Sequence, residues 1–229
     1  MKDMIFEDRR DAGRRLAAVF VEQGYQKQSA VVFGIPRGGV IVANEVAKAL
    51  FAPLDVIIAR KIRAPYQPEL GIGAVVDGDP LPILNEELVH AVGATPGYLE
   101  QEVAIQRQEI KRRLQFYRRG RPAPEISGKI AIVIDDGIAT GYTFRAALEG
   151  LRRRNPKKLV GAAPVAARDS AEMLRSFADE LIILSTPFSF IAVGTWYRNF
   201  DQTSDEEVAS VLLDNWARFG AQQPTGTLG

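Results

Sequence analysis

Short apolar runs alternate with helical patterns along this chain, and that alternation restricts the possible folds more than any other feature of the sequence. The apolar runs lie at residues 30–34, 54–59, 129–134, 158–165 and 181–184. Helical periodicity or helix-start signals lie beside them, at residues 7–23, 38–50, 95–119, 143–154, 170–177 and 204–218. Buried parallel strands are short continuous apolar runs that helices connect. The sequence therefore predicts an α/β fold whose largely parallel sheet is covered by helices on both faces.

Composition limits the chemistry that such a fold can carry. With 46% hydrophobic residues, the 229-residue chain can bury a core, and we expect one domain over residues 1–229 with a flexible tail at 222–229. The absence of cysteine and the single histidine, His90, exclude disulfides, thiolate catalysis and a histidine-based metal cluster within one chain. A net charge of +1 gives no general attraction to nucleic acid. The charged residues 1–10 do not resemble a secretion signal, and we expect a cytoplasmic protein.

The apolar run that ends at Ile134 leads into two adjacent acids, Asp135 and Asp136, and then into a loop of small residues. The loop residues are Gly137, Ile138, Ala139, Thr140, Gly141, Tyr142 and Thr143. Consecutive backbone N–H groups at a tight turn and a helix start can hold a phosphate, and threonine hydroxyls can donate further hydrogen bonds to it. The two acids would repel a bare phosphate, but they can accept hydrogen bonds from sugar hydroxyls or hold Mg²⁺. The loop therefore favours a ligand such as ribose 5-phosphate.

An apolar strand, two acids, three variable residues and Thr-Gly-x-Thr resemble the motif that binds phosphoribosyl pyrophosphate (PRPP) in type I phosphoribosyltransferases. The resemblance implies that family's parallel-sheet fold, with residues 137–143 holding the PRPP phosphate. Asp135 and Asp136 would then hold the ribose hydroxyls and Mg²⁺. The alternative is that the acids merely end a strand and the threonine caps a helix. The chain departs from the hypoxanthine-guanine branch at Ala139, where that branch has an acid beside the purine, which argues against such a purine as the acceptor.

A second glycine-containing segment, residues 33–39, follows the first apolar run. Its Gly38 and Gly39 allow the backbone to approach phosphate oxygens closely, and Arg37 offers a charged guanidinium group. The segment is similar to the pyrophosphate loop of the family, which implies a cis peptide bond between Pro36 and Arg37. The family also places a basic residue facing pyrophosphate at the end of the second strand. Arg60 and Lys61 occupy that position, with a solvated charge pair as the alternative.

The remaining parts of the family fold are less specific in this sequence. Residues 62–73 could form the mobile lid of the family, and the helix predicted at 95–119 is an addition that would cover the sheet or contact a second subunit of a homodimer. Residues 185–203 resemble the hood that binds the base, where Trp196 or Tyr197 could stack on a planar ring or belong to the core. Phe188 and Phe190 are expected in the core.

The favoured hypothesis is a phosphoribosyltransferase that transfers ribose 5-phosphate from PRPP to a nucleobase or related acceptor and releases pyrophosphate. Its expected catalytic residues are Asp135, Asp136, Arg37 and Lys61, and its expected cofactor is Mg²⁺.

Other functions remain open from the sequence. One is a non-catalytic regulator that binds PRPP or a nucleotide, and it could contact nucleic acid through a basic helix end. The arginines considered for that contact are Arg112, Arg113, Arg118 and Arg119. A magnesium-dependent hydrolase of phosphorylated sugars is disfavoured by the intact Thr-Gly-x-Thr sequence. A PRPP synthase is disfavoured because the motif occurs once.

Overall fold

The computed structural model describes residues 5–220, so the tail predicted at 222–229 lies outside the described residues. The α-helices are α1 (Arg9–Glu22), α2 (Gly38–Leu50), α3 (Glu86–Ala91), α4 (Pro96–Arg118), α5 (Tyr142–Arg152), α6 (Arg168–Leu174) and α7 (Asp205–Gly220). The strands are β1 (Ala30–Gly34), β2 (Leu54–Val56), β3 (Ala59–Ala64), β4 (Gln67–Val76), β5 (Ile83–Leu84), β6 (Ile130–Ile134), β7 (Lys158–Val165) and β8 (Glu180–Ser185). Over this range, every helix is too short or too polar to cross a lipid bilayer.

Five parallel strands form the main sheet, in the order β2-β1-β6-β7-β8. The central strands β1 and β6 pair in register, from Ala30 opposite Ile130 to Gly34 opposite Ile134. Because parallel strands end at the same edge of a sheet, the loops that follow Gly34 and Ile134 lie next to each other. The predicted α/β fold with a parallel sheet is confirmed.

The two faces of the main sheet are covered by different helices. Val32 and Ile132 pack into a core with α1, α2 and α7, whereas Val31 and Val133 pack into a core with α5 and α6. Successive side chains of a strand point to opposite faces, so both faces of β1 and β6 are buried. This two-sided burial explains why these strands are apolar at every position.

A second, antiparallel sheet in the order β3-β4-β5 corrects two expectations. The apolar run at 54–59 is not one strand, because β2 ends at Val56 and the chain enters β3 at Ala59. Arg60 and Lys61 therefore lie inside β3 and not at the end of a main-sheet strand. Residues 62–73 belong to a β-hairpin of β3 and β4, with a fully exposed Tyr66 at its turn, and their role as a mobile lid stays a prediction.

The helix predicted at residues 95–119 is present as α4. The Thr95 hydroxyl accepts a hydrogen bond from the Tyr98 backbone N–H at 3.2 Å, and Pro96 is the first helical residue, as the sequence predicts. Helix α4 packs against the β3–β4 hairpin and against α7. It therefore covers the second sheet, whereas its role in a homodimer stays a prediction.

A cluster of buried ion pairs connects the end of α4 to both sheets. Arg118 Nε lies 3.0 Å from Asp55 Oδ2 in β2, and its Nη2 lies 2.6 Å from Asp77 Oδ2 just after β4. All three side chains are buried, and burial raises the pKa of Asp55 while Arg118 opposes that rise. Arg118 is therefore unavailable to the nucleic-acid surface considered from the sequence. Arg112 and Arg113 of that surface both pair with Glu109, each at 2.8 Å.

We expect Arg118→Gln to lower the free energy of unfolding by about 3–5 kcal/mol, because removing one partner of a buried ion cluster leaves uncompensated charge. The measurement is urea unfolding followed by circular dichroism. Arg119→Gln is the control, since Arg119 is exposed and its replacement should change stability by less than about 0.5 kcal/mol. Equal effects of the two substitutions would contradict a structural role for the cluster.

Candidate functional site

Two loops meet at the carboxyl edge of the central strands: the glycine loop (residues 34–39) after β1 and the ligand loop (residues 135–143) after β6. A Cβ atom on Gly39 would lie 2.8 Å from the carbonyl oxygen of Ile134 and 2.9 Å from Asp135 Oδ1. A Cβ atom on Gly38 would collide with Asp136 Oδ2. Glycine is thus required at both positions for the loops to touch. The structure brings together the two segments that the sequence had singled out separately.

The glycine loop contains the predicted cis peptide bond between Pro36 and Arg37. Arg37 is partly exposed at the N-cap of α2, and Gly38 and Gly39 form the first turn of that helix. The positive end of the α2 dipole therefore lies at the carboxyl edge of the sheet, beside the ligand loop.

The backbone of the ligand loop is anchored at its start and open over its second half. Ile138 N–H donates to the Val165 carbonyl at 2.9 Å, which ties the loop to the end of β7. From Ala139 to Thr143, no backbone N–H donates a hydrogen bond to any residue within 5–220, and Gly141, at φ 76°, turns the chain into α5. Thr140 and Thr143 are exposed. Open N–H groups at a helix start are an anion-binding arrangement.

The residue that sequence reasoning missed is Arg9, in the first turn of α1. Its Nε lies 2.7 Å from Asp136 Oδ2, and its Nη1 donates to the Asp201 carbonyl at 2.7 Å. The guanidinium carbon also lies 3.8 Å from the centroid of the Phe200 ring. Nothing in the local sequence distinguishes Arg9 from its exposed neighbour Arg10, because the contacts of Arg9 come from residues more than a hundred positions away.

The two acids of the ligand loop have different environments. Asp136 pairs with Arg9, whereas Asp135 Oδ1 accepts a hydrogen bond from the Asp136 backbone N–H at 2.8 Å. Burial, and next the neighbouring Asp136 charge, raise the pKa of Asp135 well above its ordinary value. A ligand hydroxyl or a cation close to Asp135 would favour its ionised form. One oxygen of Asp136 is thus already engaged by Arg9, and the role of the two acids in holding ribose hydroxyls stays a prediction.

The basic residues predicted to face pyrophosphate lie on the hairpin. Arg60 Nε donates to Gln106 Oε1 of α4 at 2.8 Å, and Lys61 Nζ donates to the Glu69 carbonyl at 2.6 Å. These contacts belong to the second sheet and α4, not to the ligand loop. The structure thus places Arg37 on the glycine loop, next to the two glycines that touch the ligand loop, whereas Arg60 and Lys61 lie on the hairpin. A role for them in binding pyrophosphate stays a prediction.

Trp196 and Tyr197, predicted to stack on a base, belong to an aromatic cluster under the ligand loop. The Tyr197 ring lies 5.4 Å from Phe6 and 5.0 Å from Phe200, and its hydroxyl donates to the Asp136 carbonyl. Trp196 is buried and stacks on Phe190. Neither ring has an exposed face on which a base could stack. The predicted base-stacking role is therefore corrected, and the two residues instead support the ligand loop.

Two other apolar side chains of the predicted hood, Phe188 and Ile191, are exposed. Phe188 is 92% exposed and Ile191 is 85% exposed, so the expectation that Phe188 belongs to the core is wrong. Phe190, which stacks on Trp196, is partly buried against the same cluster, as expected. A Cβ atom on Gly137 would collide with Val193, which shows that this hood segment lies against the start of the ligand loop.

The acids at the ligand loop limit how a metal could be bound. No cluster of three or more His, Cys, Asp or Glu side chains suited to a metal occurs in the described part of the chain. Mg²⁺ commonly keeps water ligands and is held by one or two carboxylates together with substrate phosphates. Asp135 and Asp136 fit a magnesium ion of that kind and do not form a complete protein cage.

A parallel α/β sheet whose glycine loop and open-amide loop meet at its carboxyl edge has the features of a phosphate-binding protein. Residues 3–197 match the family described as "Phosphoribosyl transferase domain". The chain belongs to this family, as the motif at residues 130–143 predicts.

Similar proteins agree with that assignment. TT1426 from Thermus thermophilus, whose crystal structure is known, is 41% identical, with a TM-score of 0.81 over 92% of this chain and 99% of that chain. Two Mycobacterium tuberculosis proteins, from strains CDC 1551 and H37Rv, are provisionally named phosphoribosyl transferases and are each 43% identical over 208 residues. These matches cover 91% of this chain and 46% of each relative, so the chain spans about half the length of these relatives.

We expect Gly38→Ala to lower the free energy of unfolding by about 1–3 kcal/mol, since the added methyl group must displace Asp136 or the glycine loop. Gly97→Ala in α4 is the matched control. No atom lies within 4 Å of a Cβ at Gly97, and the change should stabilise the helix by up to about 1 kcal/mol. Urea unfolding measures both, and a Gly38→Ala protein as stable as Gly97→Ala would refute the close contact of the two loops.

Proposed function

We propose that this protein is a PRPP-dependent phosphoribosyltransferase that transfers ribose 5-phosphate to a nitrogen atom of a nucleobase or related acceptor and releases pyrophosphate. The observation that carries this proposal is the row of open N–H groups from Ala139 to Thr143, directly beside Asp135 and Asp136. One short loop thus presents donors for a phosphate and acceptors for sugar hydroxyls.

The ligand loop would hold the two ends of ribose 5-phosphate. The 5′-phosphate would accept hydrogen bonds from the open N–H groups and from the hydroxyls of Thr140 and Thr143, at the positive end of the α5 dipole. The ribose hydroxyls would donate to Asp135 and to the Asp136 oxygen that Arg9 leaves available. These contacts fix the orientation of the anomeric carbon, which is a large part of what a transfer reaction needs.

The glycine loop would receive the departing pyrophosphate. The bond between the anomeric carbon and a pyrophosphate oxygen breaks, the oxygen keeps the electron pair, and the acceptor nitrogen supplies the pair of the new bond. The backbone N–H groups at the start of α2 and the Arg37 guanidinium would stabilise the growing charge. Mg²⁺ bound with the substrate would neutralise further charge on the pyrophosphate, with Asp135 and Asp136 as its protein ligands. Ala139 carries no group that takes a proton from the acceptor, so the proton that the acceptor nitrogen loses would pass to solvent or to the released pyrophosphate.

Exposed apolar side chains of the hood favour a planar acceptor on that side. Phe188 and Ile191 are exposed on the segment that contacts the ligand loop through Val193 and Gly137. The Arg168 guanidinium carbon lies 5.5 Å from the centroid of the Phe188 ring. We infer that Phe188 and Ile191, and not Trp196 and Tyr197, contact the acceptor.

The central prediction concerns the two acids. We expect calorimetry to show PRPP binding in the presence of Mg²⁺, and a panel of nucleobases to reveal pyrophosphate release with at least one acceptor. The double variant Asp135→Asn, Asp136→Asn should lose pyrophosphate release and bind PRPP about tenfold or more weakly, because neutral amides lose the charge-assisted hydrogen bonds. Circular dichroism should show that the variant remains folded.

Full activity of the double variant would disprove the assignment of these acids. PRPP binding by the wild type without pyrophosphate release from any acceptor would favour the non-catalytic regulator. No binding of PRPP at all would disprove the proposed function.

A second prediction concerns Arg9, which holds Asp136 in place. We expect Arg9→Gln to weaken PRPP binding by roughly tenfold, since the carboxylate loses its fixed charge partner. Arg10→Gln is the matched control, because Arg10 is the next residue of α1 and its contact with Glu207, at 3.6 Å, is exposed. In the Asp136→Asn background, Arg9→Gln should have little further effect, because the two residues act as a pair. Additive effects in that cycle would show that Arg9 does not act through Asp136.

A further inference from the structure

A cavity of about 460 Å³ lies between the second half of α4, the end of β4 and residues 120–123. None of the residues that line it belongs to the glycine loop or the ligand loop. Its apolar surface comes from side chains that include Val75, Ile110, Leu114 and Pro122. Small-molecule sites typically have volumes of roughly 300–1,000 Å³, so the cavity has room for a ligand of nucleotide size.

Three cations line this cavity without a carboxylate partner among residues 5–220: Arg107, Lys111 and Arg121. Arg107 donates only to the Pro80 carbonyl, and the Arg121 guanidinium lies 4.8 Å from the centroid of the Trp216 ring. Arg107 and Lys111 are four residues apart on one face of α4, a spacing at which like charges destabilise a helix. The cations just outside the cavity, Arg112 and Arg113, by contrast both pair with Glu109.

The acids that line the cavity do not compensate this charge. Asp77 is held by Arg118 at 2.6 Å, and Asp79 is held by Arg153 at 2.6 Å. Arg118 is also shared with Asp55, so the three acids and two arginines together carry one net negative charge. The three cations without a carboxylate partner exceed that charge and leave the cavity with excess positive charge. Charge of one sign within apolar walls attracts an anion and strengthens its contacts.

We propose that this cavity is a second ligand site, which binds a nucleoside polyphosphate. The phosphates would contact Arg107, Lys111 and Arg121, and the base would lie against the apolar wall formed by Ile110, Leu114 and Pro122. Inorganic phosphate alone would use the cations and leave the apolar wall uncovered, whereas a nucleotide uses both. The proposal does not depend on PRPP binding at the ligand loop, because the two sites share no residue.

The test is calorimetric titration of ATP, as the probe nucleotide, into the 229-residue protein at low ionic strength. We expect the wild type to bind ATP, and Lys111→Gln and Arg107→Gln each to weaken that binding by roughly tenfold, as expected for the loss of a charged donor. Lys111→Gln is the more informative variant, because Lys111 makes no contact whose loss would unfold the protein. Arg112→Gln, on the same helix but outside the cavity, should leave ATP affinity unchanged.

Two further titrations locate the ligand and test its class. Excess ribose 5-phosphate should not reduce ATP affinity, and a reduction would place ATP on the ligand loop and overturn the proposal. Inorganic triphosphate should bind more weakly than ATP, and equal binding would overturn the role of the apolar wall. No ATP binding by the wild type, or equal binding by wild type and Lys111→Gln, would overturn the site itself.

Discussion

The contact between the glycine loop and the two acids of the ligand loop is the constraint on which the rest of the site depends. It exists because β1 and β6 pair in register at the centre of the sheet, so that their following loops leave the same edge together. Two glycines then allow the backbones to approach within distances that any side chain would prevent. The result is a small region in which the starts of α2 and α5, the two acids and Arg9 lie beside one another. Such an arrangement offers main-chain donors for an anion and carboxylate acceptors for hydroxyl groups.

Arg9 links this region to the first helix and to residues 200–201. It belongs to α1, it pairs with Asp136, and it lies on Phe200 with a hydrogen bond to the Asp201 carbonyl. The Tyr197 hydroxyl donates a hydrogen bond to the backbone carbonyl of the same acid. Helix α1 and the predicted hood therefore both contact the ligand loop. Trp196, Tyr197 and Phe200 of the predicted hood support the ligand loop, whereas Phe188 and Ile191 are exposed.

The sequence predicted the parts of the fold that depend on local pattern. The parallel strands follow from continuous apolar runs, α4 follows from its Thr95-Pro96 start, and the ligand loop follows from a motif that is contiguous in the chain. The sequence did not predict where β2 ends, because residues 57 and 58 are as apolar as the strand before them and only sheet pairing separates β2 from β3. It did not predict Arg9 or the burial of Trp196, because both depend on contacts between distant segments. Arg118 looked like one cation of a basic helix end, and its burial depends on Asp55 in β2 and Asp77 just after β4.

The open N–H groups of the ligand loop have a consequence for how sequences of this kind can diverge. A hydrogen bond donated by the main chain is the same whichever side chain is attached, provided that the backbone keeps its path. Positions such as Ile138, Ala139 and Tyr142 are therefore free to follow the demands of packing or of a particular acceptor. Gly141, with its left-handed backbone, is not. The conformation of this loop therefore constrains its sequence mainly at Gly141, so proteins with little sequence in common can present the same main-chain donors.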